Sequence, residues 1–278
     1  MTGTLYLCAT PIGNLEDITL RVLRTLQEVD LIACEDTRNS IKLLNHFEIK
    51  TPMTSYHEFN KIEKAYQLVE KLKEGKNIAL ITDAGTPGIS DPGEELVRIC
   101  YEEGVPVTSL PGASAVITAL TLSGQKTRRF CFEAFLPKDK KERARVIEEL
   151  KQETRTIILY EAPHHLVKTL KELFDALGDR SISLVKEISK RYENVDRTTF
   201  SKALAGYSGC DPKGEFVIVI EGKSKQQIEE EKRDAYADLS IEEHVKRFEE
   251  QGYDHKEAMR MTAKERGISK RDVYQALL

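Results

Sequence analysis

The chain has 278 residues, of which 40% are hydrophobic and 32% charged, with a net charge of −4 at neutral pH. That length suggests two domains with real cores, and the acidic balance argues against a protein that coats nucleic acid through bulk charge. Cys8, Cys34, Cys100, Cys131 and Cys210 are scattered without a C-x-x-C pair, which reads as reduced thiols. With no leader pattern and no apolar run of spanning length, a cytoplasmic protein is expected, with no membrane contact.

Strand and helix then alternate. Residues 4–9 read as a strand, and Asn14 as the cap of a helix with Leu20, Leu23 and Leu26 on one face. A strand is expected at 31–35, a helix at 40–46, a short extended piece at 54–56, and a helix at 61–74 stopped by Gly75. Strands at 77–82 and 105–108 each empty into a Gly/Pro loop, 83–93 and 109–115, and each loop opens a helix, 94–103 and 114–122. Glycines let backbone approach a ligand, and prolines set the turn before anything binds. The spacing predicts two adjacent strands whose carboxyl ends share one pocket. Ordinary strand-to-helix turns are the plainer alternative.

A break at 122–129 separates an N-terminal α/β domain with a largely parallel sheet, 1–122, from a second, α+β domain, 123–222, with a cofactor cleft expected between them. The second domain should hold strands at 130–134, 156–160, 181–188 and 215–221, with helices at 138–152 and 165–177. Residues 223–278 read as a helical tail. Ser240 with Glu243, Asp254 with Glu257, and Ser269 with Asp272 have capping-box spacing, and the last two helices resemble a helix-turn-helix.

Several chemistries are poor fits. No G-x-G-x-x-G follows the first strand and no G-x-x-x-x-G-K-[ST] Walker loop occurs, against nicotinamide or nucleoside-triphosphate chemistry. There is no H-E-x-x-H, and His164-His165 lacks a partner at ligand spacing, so no metal is expected.

The run Thr4-Leu5-Tyr6-Leu7-Cys8-Ala9-Thr10-Pro11-Ile12-Gly13-Asn14-Leu15-Glu16-Asp17 resembles the tetrapyrrole methylase superfamily. Cys34-Glu35-Asp36-Thr37-Arg38, Ser55-Tyr56-His57-Glu58 and Thr82-Asp83-Ala84-Gly85-Thr86-Pro87-Gly88-Ile89-Ser90-Asp91-Pro92-Gly93 are similar, more narrowly, to the ribosomal RNA small subunit methyltransferase I family. Phe135-Leu136-Pro137, Tyr160-Glu161-Ala162-Pro163-His164-His165 and Lys186-Glu187-Ile188-Ser189-Lys190 add to the likeness, which covers residues 1–222. It implies a two-domain tetrapyrrole-methylase-like fold and S-adenosylmethionine as cofactor. The implied reaction methylates the ribose 2′-hydroxyl of a cytidine in the decoding centre of 16S rRNA, in the 30S subunit, by a homodimer. A tetrapyrrole-precursor C-methyltransferase and a non-catalytic ribosome-assembly factor are the alternatives.

The resemblance also implies roles. Ile12 packs near the cofactor; Asp83, Ala84 and Thr86 face its methionine and ribose portions; Tyr160 and Ile188 flank the adenine. Ser114 and Ala115 offer helix-start N–H groups to its carboxylate. Core packing is the plain alternative for Ile12, Ala115 and Ile188. In-line transfer from a sulfonium draws much of its rate from alignment, and a weakly acidic hydroxyl gains from a base or a cation. Lys186 and Glu187 are the candidates, with Asp36 and Arg38 orienting the nucleotide and Arg38 on a phosphate; structural ion pairs are the alternative for all four. Glu35 reads as structural. For RNA the candidates are His57, then Lys138, Lys141 and Arg143 on a basic helix, and Arg260, Lys270 and Arg271 in the tail, although a charged helix face is usually just solvated.

Overall fold

The computed structural model describes residues 1–234, 236 and 239–278, which form two compact units: 1–150 with 155–221, and 151–154 with 222–278. Among the described residues no helix is long and apolar enough to cross a membrane.

The first unit opens with β1 (Leu5–Cys8), α1 (Leu20–Glu28), β2 (Leu31–Cys34), α2 (Thr37–His46), β3 (Met53–Ser55), α3 (Lys61–Lys73), β4 (Ile78–Ile81), α4 (Glu94–Glu102), β5 (Val107–Leu110) and α5 (Ala115–Ser123). Its five strands pair in parallel in the order β3-β2-β4-β1-β5. Every residue of β4 is buried, as an Ile-Ala-Leu-Ile run covered on both faces must be. The two loop-bearing strands, β4 and β5, are not adjacent as the spacing predicted. β1 lies between them, Leu5 pairing with Ile78 on one side and Val107 on the other. Crossover helices carry the chain past a neighbour, so nearness in sequence is not nearness in the sheet.

The start of α1 also differs from the sequence expectation. Asn14 caps a short 3-10 turn, Leu15–Asp17, and the helix itself starts under Thr19, whose hydroxyl accepts the Val22 N–H. Two apolar stripes compete on this helix. The one that meets the sheet is Val22 and Leu26, continued by Val29, while Leu20 is 85% exposed.

The same unit continues through β6 (Phe130–Phe135), α6 (Lys140–Lys151), β7 (Thr156–Glu161), α7 (Leu166–Leu177), β8 (Ser181–Lys186), β9 (Asn194–Thr199), α8 (Phe200–Gly206) and β10 (Phe216–Ile220). The strands form a second sheet, β6-β7-β10-β8-β9, parallel only between β6 and β7. Fold class is therefore α/β with a parallel first sheet and a mixed second one, as expected. β9 and α8 are additional. β9 is an edge strand whose Asp196 and Arg197 break the apolar alternation, a usual protection of sheet edges. α5 is apolar nearly all round; its Val116, Ala119 and Leu120 pack on Ile158, Val185, Val217 and Val219 of the second sheet.

The second unit holds α9 (Lys225–Asp234), α10 (Ile241–Glu250), α11 (His255–Arg266) and α12 (Lys270–Ala276) around Val245, Phe248, Ala258, Ala263 and Val273. Reciprocal capping boxes form at Ser240–Glu243 and Ser269–Asp272, and Asp254 accepts the Glu257 N–H. α9 was not anticipated, yet Ser224 and Gln227 exchange the same pair of bonds at its start, so the Ser-x-x-Gln signal was present.

His244 is sealed in this unit at 1% exposure. Arg266 Nε donates to its Nδ1 at 3.0 Å, which leaves Nε2 as the N–H facing Glu265 Oε2 at 3.0 Å and the ring neutral. Burial holds its pKa below the usual 6.5. The folded tail thus resists the proton that the unfolded chain accepts below pH 6.5, so its stability is intact above that pH and is lost as pH falls. Amide protection factors in α10 and α11 should drop between pH 7 and 5, and His244→Gln should flatten that dependence.

Candidate active site

A cavity of about 480 Å³ lies in the first unit, at the carboxyl ends of β1, β2, β4 and β5. Open parallel sheets place ligands at that edge. Three loops meet there although β1 separates the strands that feed two of them. Thr10 and Gly85 exchange backbone bonds of 2.9 and 3.0 Å, tying the loop after β4 to the loop after β1. Thr86 Oγ1 donates to the Ala113 carbonyl at 3.1 Å, tying it to the loop after β5. Gly85 makes its bridge at a φ of +83°, a conformation glycine adopts without penalty. Gly112 allows the loop after β5 to approach the end of β1: a Cβ there would lie 2.6 Å from the Ala9 Cβ. Gly112→Ala should therefore part the loops, costing about 1–3 kcal/mol of stability by thermal unfolding.

All eight residues expected around the cofactor line this cavity. Ile12, Asp83, Ala84 and Thr86 come from the first two loops, Ser114 and Ala115 from the start of α5, and Tyr160 and Ile188 from the second sheet. The Ser114 side chain makes no capping bond, so the first-turn N–H groups of α5 are not taken by it and the positive end of the helix dipole lies at the wall. Sequence reasoning missed Asp91, Phe135, Glu161 and Phe216, and read Glu35 as structural although it also lines the cavity. Asp91 stood inside the first loop as one residue of a turn; nothing in the pattern distinguished it.

The wall is acidic. Glu35, Asp83 and Asp91 all line it. Burial first, and then the charges of Glu35 and Asp83, push the Asp91 carboxyl up to about 6. Burial followed by Asp83 raises Glu35 as well. Asp83 Oδ2 accepts a hydrogen bond from Asn39 Nδ2 at 2.9 Å. Tyr160 is raised to about 12 by burial, its ring edge-on to Phe132 at 4.9 Å and to Phe135 at 5.6 Å. The donor set fits a nucleoside-sized group that carries cations at one end: carboxylates for the cations, a helix start for a carboxylate, and Ile12, Ala84, Tyr160, Ile188 and Val217 for an apolar ring system.

The other candidates lie elsewhere. Lys186, Glu187, Asp36, Arg38 and His57 are absent from the cavity lining. Glu187 accepts the Glu215 N–H at 2.9 Å and the Lys190 ammonium at 3.0 Å, and these hold its carboxyl below the usual range. Lys186 Nζ lies 5.7 Å from the centre of the Phe216 ring. Asp36 caps α2 by accepting the Arg38 N–H at 2.8 Å and also takes the Arg38 guanidinium through two bonds, which sets its pKa at about 2. The His57 N–H donates to Asn60 Oδ1 at 2.8 Å, and its Nδ1 is buried without a hydrogen-bond partner.

Among the basic residues, Lys138 and Lys141 are exposed beside and on α6. Arg143 is folded in, donating to Glu172 and to the Thr169 hydroxyl at 2.7 Å each, and Thr169 in turn donates to Glu161 at the cavity wall. Arg260, Lys270 and Arg271 are exposed on the second unit, with Arg260 3.4 Å from Glu257.

A family model described as Tetrapyrrole (Corrin/Porphyrin) Methylases matches residues 4–204. The protein named ribosomal RNA small subunit methyltransferase I in Halalkalibacterium halodurans is 47% identical over 272 residues, covering 98% of this chain and 93% of that one. Its namesake in Bacillus subtilis is 45% identical over 274 residues, covering 99% and 94%. A crystal structure of diphthine synthase matches with a TM-score of 0.64 over 80% of this chain and 91% of that one, at 16% identity, a likeness of fold alone. With the family match spanning the loops after β1, β2, β4 and β5 that meet at the cavity, the chain belongs to the tetrapyrrole methylase family, in the branch of the ribosomal RNA small subunit methyltransferase I proteins.

Proposed function

We propose that this protein moves the methyl group of S-adenosylmethionine onto the ribose 2′-hydroxyl of a cytidine in the decoding centre of 16S rRNA, in the cytoplasm, as a homodimer working on the small ribosomal subunit. The observation that carries the reading is that all eight expected cofactor residues line one and the same cavity, in a chain 47% identical to a protein named ribosomal RNA small subunit methyltransferase I.

When bound, the cofactor supplies an electrophilic methyl group on a sulfonium. The first-turn N–H groups at Ser114 and Ala115 hold its carboxylate, and Asp83 faces its ammonium and ribose. Ile12, Ala84, Tyr160 and Ile188 enclose the adenosine. Thr86 keeps the floor rigid through its bond to Ala113. The proton of the attacking hydroxyl needs an acceptor poised near neutrality. Asp91, at about 6 and on the wall, suits that role better than Glu187, held low by the Glu215 N–H and then by Lys190, or Asp36, held low by Arg38. Lys186 and Glu187 then serve to set Ile188, the next residue, against the cofactor.

Exposed Lys138 and Lys141, with Arg38 and His57, are offered as phosphate and sugar contacts, and Arg260, Lys270 and Arg271 as further contacts from the tail. An acidic wall disfavours a porphyrinoid precursor, whose many carboxylates would all have to enter. An RNA presents one uncharged ribose and keeps its phosphates outside. The test is incubation with methyl-labelled cofactor and three acceptors: unmethylated small subunits, naked 16S rRNA and a uroporphyrinoid. Label in subunit RNA, at an alkali-resistant ribose linkage, is expected. Label confined to the porphyrinoid would overturn the proposal.

A further inference from the structure

We infer that Phe135 is the stacking platform for the nucleobase of the target nucleotide, turned into the cavity by a bulge in β6. The inference rests on the RNA reading above and adds to it the element that holds the base.

β6 pairs with β7 in parallel register from Phe130 to Phe132, where Phe132 stands opposite Ile158. The register then slips, and Phe135 stands opposite Tyr160. Three residues on one strand are matched by two on the other, so one is extra. Side chains alternate along a strand, so Ile158 and Tyr160 share a face. The slip therefore places Phe135 on the same face as Phe132, whereas regular alternation would send it to the opposite one. That face is the one packed by Ile12, α5, Phe132 and Tyr160 around the cavity. Ala134 takes up the irregularity at a φ of +52°, an unfavourable conformation for a residue with a Cβ. Strain of this kind, and bulges that re-aim a side chain, gather at functional sites.

The outcome is a phenyl ring that lines the cavity yet stays 56% exposed, although the next residue, Leu136, is buried. The ring meets the edge of Tyr160 at 5.6 Å, and Tyr160 is braced by Phe132 at 4.9 Å. Ile89, 46% exposed, is a second apolar side chain of the lining. An open aromatic face with carboxylates elsewhere on the wall rejects phosphate and accepts a flat, uncharged heterocycle. To bring a 2′-hydroxyl to the cofactor, the nucleotide must leave its stack, and an unstacked base is held on aromatic side chains. Tyr160 and Ile188, more buried, remain for the cofactor's adenine.

The experiment compares Phe135→Ala, Phe135→Leu and Phe135→Tyr in the full chain, reading cofactor affinity by calorimetry and the KM and kcat for methylating unmethylated small subunits. Phe135→Ala should leave cofactor affinity within about twofold and lower kcat/KM for the subunits about 10- to 100-fold, chiefly through KM. Phe135→Tyr should restore most of that loss and Phe135→Leu little. Unchanged kcat/KM in Phe135→Ala would overturn the inference. So would an equal loss of cofactor affinity, which would put the ring against the adenine, or full rescue by leucine, which would make it mere packing. Wild-type protein that leaves subunit RNA unlabelled would instead defeat the RNA reading itself, and this inference with it; the wild-type lane separates the two failures.

Discussion

Asp91→Asn should leave the cofactor bound and cut methyl transfer by about 100-fold or more, the usual cost of removing a positioned general base. The cause lies in where the carboxylate sits. Burial and two carboxylate neighbours raise it to about 6, which makes it a far better proton acceptor than an ordinary aspartate at 3.8. In the wild type, kcat/KM should climb with pH, reach half its maximum near 6 and level off above, because only the ionised form accepts the proton. The same shift has a consequence for stability. A folded-state pKa above the unfolded value means that the folded chain binds the extra proton between about pH 4 and 6, so the fold weakens as pH rises through that window. The asparagine variant should therefore melt about 2 °C higher at neutral pH, a modest gain because the site is half open to solvent. An inactive variant that is also more stable cannot be explained by unfolding. Wild-type rates in Asp91→Asn with the same pH profile would remove Asp91 from the chemistry.

Asp83→Ala should weaken cofactor binding about 10- to 100-fold by calorimetry, the value of a lost charge-assisted hydrogen bond at a partly open wall. Asn39 now donates to this carboxylate at 2.9 Å and would be left facing the gap. A second readout is tied to it. Asp83 is one of the charges that raise Asp91, so its removal should move the kcat/KM inflection to lower pH. Unchanged affinity would refute the placement of the cofactor beside this loop; lost affinity with a fixed inflection would uncouple the two carboxylates.

Much of the fold was legible because its signals were local. The Ile-Ala-Leu-Ile run of β4, the Gly/Pro loops after β4 and β5, and the Ser and Asp caps of the tail each state their structure within a few residues. Strand order was not legible, since placing β1 between β4 and β5 is decided by which crossovers cover the sheet. β9 escaped notice because an edge strand needs no apolar alternation. At the site, the loop residues were readable from their motif, whereas Asp91 acquires its raised pKa from burial in the folded cavity, then from Glu35 at the end of another strand and Asp83 of its own loop. Phe135 is the sharpest case. A period of two predicts that it faces away from Phe132, and only the extra residue at Ala134 reverses it.

The most direct measurement is a crystal structure of the protein grown with S-adenosylmethionine. The donor is expected in the cavity after β1, β4 and β5, its carboxylate at the start of α5 and its methyl group open toward Asp91 and Phe135. Density for the donor anywhere else, with that cavity filled only by solvent, would contradict that placement.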